Sequence, residues 1–373
     1  MRETMAPPEG TETTANLAAP RARPLARTRV RGASALVILA GGLLVAIVFA
    51  TANGAVAIPP AHVAGILWNL LGIFPVRPTW ASVDALIIVN LRLPEVLGAA
   101  LVGAALAVAG ALFQGLFRNP LAEPYVIGAS AGASLGATIG LLLPLTLSFL
   151  GFGQVALLAF IGALSAVALA YWLARTGGRT PVITLLLAGV IITAVSGAIQ
   201  TLLFTVTRRL ASQLAAIFVW MVGGVDVQTW GQIAIIATLI GGGLILALAL
   251  APVLDALALG DEGAAYLGIN VERQKLLLVV VGSLLTASAV AISGLIGFVG
   301  LMVPHAIRLV LGPRHRLLVP AAALGGALFL VVADLLARVI LAPSVLPVGI
   351  LTALSGGPFF LFLLHRTQRN YRW

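Results

Sequence analysis

The chain of 373 residues contains no cysteine. That excludes a disulfide framework and any thiolate metal site. Lysine is almost absent as well: Lys275 stands alone among 22 basic residues. A phosphate-binding loop needs its lysine directly after a glycine and before Ser or Thr. Lys275 follows Gln274, so no such loop exists. The four histidines, His62, His305, His315 and His365, are scattered. They offer neither a metal cluster nor a nucleophile–base pair. Charge is the largest deficit. Only 9% of residues are charged, against about 25% in a soluble domain. Hydrophobic residues make up 60%, and the mean hydropathy is +1.10. A polytopic membrane protein is the class that remains. The net charge of +10 does not point to nucleic acid, because the arginines punctuate apolar segments instead of forming a soluble basic face.

Residues 1–33 read as a disordered basic cytoplasmic tail. Arg21, Arg23, Arg27, Arg29 and Arg31 cluster before the first apolar run. The tail is too long for the charged region of a cleaved signal peptide, and topological anchoring explains it. Residues 34–366 form one transmembrane domain, and 367–373 a cytoplasmic C-terminal tail.

A membrane span needs about 20 apolar residues. Ten candidates meet or approach that: 35–57, 96–117, 125–145, 154–174, 182–204, 231–251, 276–291, 295–311, 318–341 and 348–364. The segments 60–71 and 211–221 read as interfacial or re-entrant. With the N-terminus inside, seventeen of the 22 basic residues fall on the inner side. Arg77, Arg92, Arg208, Arg209 and Arg338 fall outside. This asymmetry supports an all-α chain with both termini in the cytoplasm. The 41 glycines fit close helix packing where no hydrophobic effect drives association.

Polar residues gather at five places. Arg118-Asn119-Pro120-Leu121-Ala122-Glu123-Pro124 breaks two apolar runs on the inner side. It reads as a tight turn or as a constriction at the inner mouth of a path. Leu91-Arg92-Leu93-Pro94-Glu95 opens the second span, with Pro94 placed at a helix start and Arg92 facing out. The inner loop 254–275 carries Asp255, Asp261, Glu262 and Glu272. Asp261 and Glu262 suit the first turn of a short helix, and Gly268 suits its end. Gly297–Arg308 holds His305 near the inner end of a span, without a second ligand at metal spacing. Asp334 and Arg338 stand at i and i+4, the spacing of an ion pair within a span.

In this order the segments resemble the type II permease subunits of ABC importers for iron-siderophores, haem and cobalamin. The strings that carry the likeness are Leu91–Pro94; Gly103–Gly110 with Gln114; Asn119–Pro124 with Gly128, Gly132 and Ala133; Trp220–Gly224; Leu259–Glu262 with Leu267 and Gly268; Gly297–His305 with Arg308; and Ala333–Arg338 with Leu346–Gly349. The resemblance implies ten helices, of which two to five and seven to ten form an inverted repeat. It implies a homodimer or a pair of similar permeases around a central path. Two copies of a cytoplasmic ATPase would dock below, and an extracytoplasmic substrate-binding protein above. No cofactor would bind directly, and ATP would be used by the partner. Carried over by position, Asn119, Pro120, Leu121 and Ala122 match the cytoplasmic gate. Leu259, Gly260, Asp261, Glu262, Ala265, Leu267 and Gly268 match the ATPase-coupling loop. Arg92 and Arg338 match arginines that pair with acids on the binding protein. Glu95 departs from the pattern, since many relatives carry a second arginine there; Arg77, Arg208 and Arg209 are then substitutes.

The expected activity is import of a metal chelate, a ferric siderophore first, without enzymatic activity in this chain. Trp220–Gly224 also resembles cobalamin permeases, and His62 or Met221 are the outer candidates for a haem ligand. The rival class is an ion-coupled transporter with Asp334 or Glu123 as its coupling acid.

Overall fold

The computed structural model describes residues 25–54, 57–70, 72, 74–143, 147–207 and 210–369. In chain order the helices are α1 (Leu25–Ala52), α2 (Pro60–Leu70), α3 (Ser82–Ile87) and α4 (Leu93–Phe117). A 3-10 turn, Pro124–Ile127, leads into α5 (Ala129–Leu142). A hairpin of two short strands, β1 (Ser148–Phe149) and β2 (Phe152–Gly153), pairs Ser148 with Gly153 and opens α6 (Gln154–Ala174). Then follow α7 (Val182–Val206), α8 (Leu210–Val222), α9 (Trp230–Leu257), α10 (Asp261–Tyr266), α11 (Val271–Ser293), α12 (Val299–Leu311), α13 (His315–Val339) and α14 (Val348–Arg369).

Seven segments are long and apolar enough to cross a membrane: most of α1, the α3–α4 run, α6, α7, α9, α11 and α13. The other three expected spans are α5, α12 and α14, whose apolar parts are shorter. At 1.5 Å per residue α5 and α12 reach only about 20 Å, less than the ~30 Å hydrocarbon core. They are broken helices that begin inside the protein. α2 and α8 occupy the two segments read as interfacial.

Several boundaries move. α1 already runs from Leu25, so residues 25–33 are helical and not tail; residues 1–24 lie outside the described residues. α14 continues to Arg369, past the expected tail boundary. The second span does not start near Pro94. Helix is continuous from Ser82, through a π-helical turn at Ile88–Arg92, into α4. Proline in a helix interior lacks a donor and its ring clashes with the carbonyl four residues back. The π turn, in which the Leu93 N–H donates to the Ile88 carbonyl, widens the ladder just ahead of Pro94 and absorbs that conflict.

α4 is the central element. Its most apolar stretch is 89% buried, against 22% for peripheral α1. α13, α11, α9 and α12 surround it, and α1 lies on α13. Residues α4–α7 and α11–α14 form two corresponding blocks. α4 packs on α13 as α11 packs on α6, and each block has a short second helix behind a break. That is the contact pattern of the expected repeat. Glycine makes the closest crossings possible: a Cβ on Gly110 would lie 1.7 Å from the Gly300 carbonyl oxygen, and one on Gly103 2.2 Å from that of Gly326.

Candidate functional site

α4 ends in a Schellman motif. The Arg118 N–H donates to the Gly115 carbonyl (3.3 Å) and the Asn119 N–H to the Gln114 carbonyl (3.1 Å). Arg118 occupies the left-handed position at φ 51°, where glycine is usual. The next residues make a built turn. Asn119 Oδ1 accepts from the Leu121 N–H at 2.9 Å, and the Asn119 carbonyl from Ala122 at 3.1 Å. Pro120 and Leu121 are exposed, Ala122 is buried. So the four residues expected at the gate stand as one tight turn that presents Leu121.

This turn leads into the break before α5, and that break meets the break before α12. Glu123 Oε1 accepts the Phe298 N–H at 3.0 Å, which places a carboxylate on the N-terminus of α12. The Tyr125 hydroxyl donates to the Ile296 carbonyl at 3.0 Å. Along α12 beyond the break, the Gln114 amide donates to the Gly300 and Leu301 carbonyls (3.3 and 3.2 Å) and accepts from Arg308 Nη1 at 2.9 Å. The end of α4 and the break before α5 are thus joined to α12 and the break before it, mostly by side chains of residues 114–125 on backbone of residues 296–301. His305 stands in α12 against the backbone of Pro120.

α10 lies where the sequence places a short helix. Asp261 and Glu262 occupy its first turn. Gly268, at φ +80°, closes it: its N–H donates to Ala265 (2.9 Å) and that of Ile269 to Ala264 (3.2 Å). Leu259, Tyr266 and Leu267 are exposed, Tyr266 at 91%. Asp261 receives two cations. Arg118 Nη2 bonds Oδ1, and Lys275 Nζ lies 2.6 Å from Oδ2. Lys275 is itself buried and also reaches Glu272 at 3.2 Å. Glu272 in turn accepts the Thr180 N–H at 2.7 Å. Partial burial pushes the Asp261 carboxyl up, but Lys275 and Arg118 outweigh it and hold it below the usual carboxylate range.

At the outer end, Arg92 and Arg338, expected as docking arginines, are both largely buried within the single chain. Arg92 Nη1 donates to the Thr51 and Ala52 carbonyls, each at 3.1 Å, a cation at the C-terminus of α1. Arg338 bonds Asp334 at 2.6 Å and approaches Glu95 at 3.9 Å. A buried charge needs an opposite partner, and these acids supply it within the chain. Glu95, the residue that departs from the relatives' pattern, therefore has an internal use. Asp334 is already engaged, which weighs against a free coupling acid. Arg77 is exposed; Arg208 and Arg209 lie outside the described residues.

Sequence reasoning gave no role to Lys275, Arg118, Gln114 or Arg308 individually. A signal for the first existed: it is the single lysine of the chain. The others become visible only once distant segments meet. Among the described residues no group of three His, Asp or Glu is placed to hold a metal ion.

Residues 38–366 match the FecCD transport family. The chain belongs to that family. A hemin transport system permease of Yersinia pestis is 43% identical, covering 76% of this chain and 84% of its own. A cobalamin import permease of Halobacterium salinarum is 41% identical over 82% and 81%. An iron(III) dicitrate transport permease of Escherichia coli is 40% identical over 76% and 86%. A solved structure, described as an inward-facing metal-chelate type ABC transporter, superimposes with a TM-score of 0.77 at 27% identity, covering 89% of this chain and 98% of that one. Family and fold agree with a multi-pass protein of the cell membrane.

Proposed function

We propose that this chain is the permease subunit of an ATP-driven importer that carries a ferric siderophore from an external binding protein to the cytoplasm. The reading rests on one observation. A short cytoplasmic helix, α10, and its flanks present Leu259, Tyr266 and Leu267 uncovered among the described residues, and the same helix is bonded to Arg118, the residue immediately before the proposed gate turn. A surface made to receive a partner is thereby attached to a constriction. ATP binding and hydrolysis occur on that partner, two copies of which serve a pair of permeases. Displacement of α10 opens or closes the turn Asn119–Ala122, and Leu121 is the plug. On the outer side, Arg92 and Arg338 serve docking indirectly, by fixing the ends of α1, α4 and α13. Exposed Arg77 is the basic group that meets the binding protein.

Iron chelates are the preferred cargo because relatives named for iron(III) citrate and hydroxamate stand beside the haem and cobalamin ones. Of the candidate haem ligands, Met221 has its sulfur 3.8 Å from the Gln200 amide, and His62 packs against Trp80 with ring centres 6.4 Å apart. The test is uptake by a host stripped of its own permeases, supplied with this chain, its ATPase and its binding protein. Labelled ferric siderophore, haem and cobalamin are offered in parallel. ATP-dependent accumulation of the siderophore alone is expected. Accumulation of haem or cobalamin instead replaces the cargo, and accumulation that survives an inactive ATPase refutes the mechanism.

A further inference from the structure

We infer that the Arg118–Asp261 ion pair is the link through which the partner-facing helix moves the gate, with Lys275 fixing its geometry. The inference rests on the importer reading above. Four segments converge on one carboxylate: the end of α4, the start of α10, the first turn of α11, and, through Glu272, the α6–α7 loop. A lone surface ion pair contributes little, since water and salt screen it. Here the carboxylate is not free to swing. Lys275 is buried and holds the second Asp261 oxygen, while Gly260, at φ +102°, begins α10.

The position of Arg118 strengthens the case. It fills the left-handed site of a Schellman motif, where a side chain is disfavoured relative to glycine. The backbone alone gives no reason for arginine there. What the arginine adds is the bond to Asp261, from the residue immediately before Asn119. Rotation or translation of α10 is therefore delivered to the residue adjoining the gate turn, with no residue between it and Asn119. A cleft of about 690 Å³ opens beside the pair, lined by Phe117, Arg118, Ile183, Asp261 and Tyr266 among others. It separates α10 from the end of α4 and the start of α7.

Two variants separate this role from a structural one. Arg118→Gly suits the left-handed backbone and removes the link. Arg118→Lys keeps the charge. Each is assembled with the ATPase and binding protein in proteoliposomes, and uptake per ATP hydrolysed is measured. In parallel, Leu121→Cys is introduced, and its labelling by a thiol reagent is followed with and without ATP; the native chain has no cysteine to interfere. With Arg118→Gly, uptake per ATP should fall about five- to tenfold, the lower range of coupling between separate sites. The ATP-dependent change in labelling should vanish. Arg118→Lys should recover most of both. Wild-type values of both readouts in Arg118→Gly would overturn the inference. So would an Arg118→Lys variant as uncoupled as Arg118→Gly, because charge would then not be the link. If the unaltered complex shows no ATP-dependent uptake, the importer reading itself falls, and this inference with it; the two failures are distinguishable.

Discussion

Asp334 and Arg338 show how a single pair of residues decides between transport classes. Asp334 is 3% exposed, and its carboxylate is held 2.6 Å from the Arg338 guanidinium. A buried pair broken on one side leaves an uncompensated charge, at a cost of about 3–5 kcal/mol. Asp334→Asn should therefore lower the thermal unfolding midpoint of the purified protein clearly. It should leave uptake per ATP unaltered in whatever fraction folds. An ion-coupled carrier would show the reverse, normal stability and lost coupling. At the inner face, Asp261 gives a pH test. Its carboxyl lies below the usual range because Lys275 and Arg118 outweigh partial burial. The sign follows from the depressed folded value: the contribution is complete above the unfolded pKa of about 3.9 and is lost as pH falls through the lower folded value. The stability difference between wild type and Asp261→Asn should thus be flat from about pH 5 to 8 and shrink only below ~4. A difference that already declines near neutrality would contradict the assigned ion pairing.

Among elements, the packing of α4 against α12 is the most demanding. Gly110 admits the Gly300 backbone so closely that a Cβ would sit 1.7 Å from its carbonyl oxygen. Backbone cannot rotate away as a side chain can. Gly110→Val should force the half-length helix α12 off α4, with a loss of about 1–3 kcal/mol or more and loss of ATP-dependent uptake. Gly41 in α1 meets nothing within 4 Å, so Gly41→Ala should be neutral or slightly stabilising. Comparing the two by thermal unfolding separates a crossing from a merely small residue. The same element explains what the sequence could and could not reveal. The apolar run of α4 and its Pro-rich end were legible, because hydropathy and proline act locally. The helix before it was not. Residues 82–92 mix polar and apolar side chains, and a π turn that accommodates Pro94 has no local sequence signature.

At the scale of the whole molecule, α7 presents Ile183, Leu187, Val190 and Val195 on its outer side. α7 is one of the seven helices long and apolar enough to cross a membrane, and this apolar side suits that setting. Composition, ten apolar runs and the bias of the basic residues determined that this is a polytopic helical protein with its charged loops inside. Those properties depend on transfer of each segment from water to lipid, which a segment carries in its own residues. The tight turn after α4 and the short loop helix were also legible, because Asn-Pro and the Asp-Glu…Gly spacing specify local backbone geometry. Tertiary structure alone decided the rest. It gave Arg92 and Arg338 partners within the chain, placed Glu123 on the start of α12, and brought Arg118 to Asp261 across 143 positions of sequence. Charge pairing in a buried or crowded place depends on which segments the fold brings within a few ångströms, and no local pattern encodes that distance.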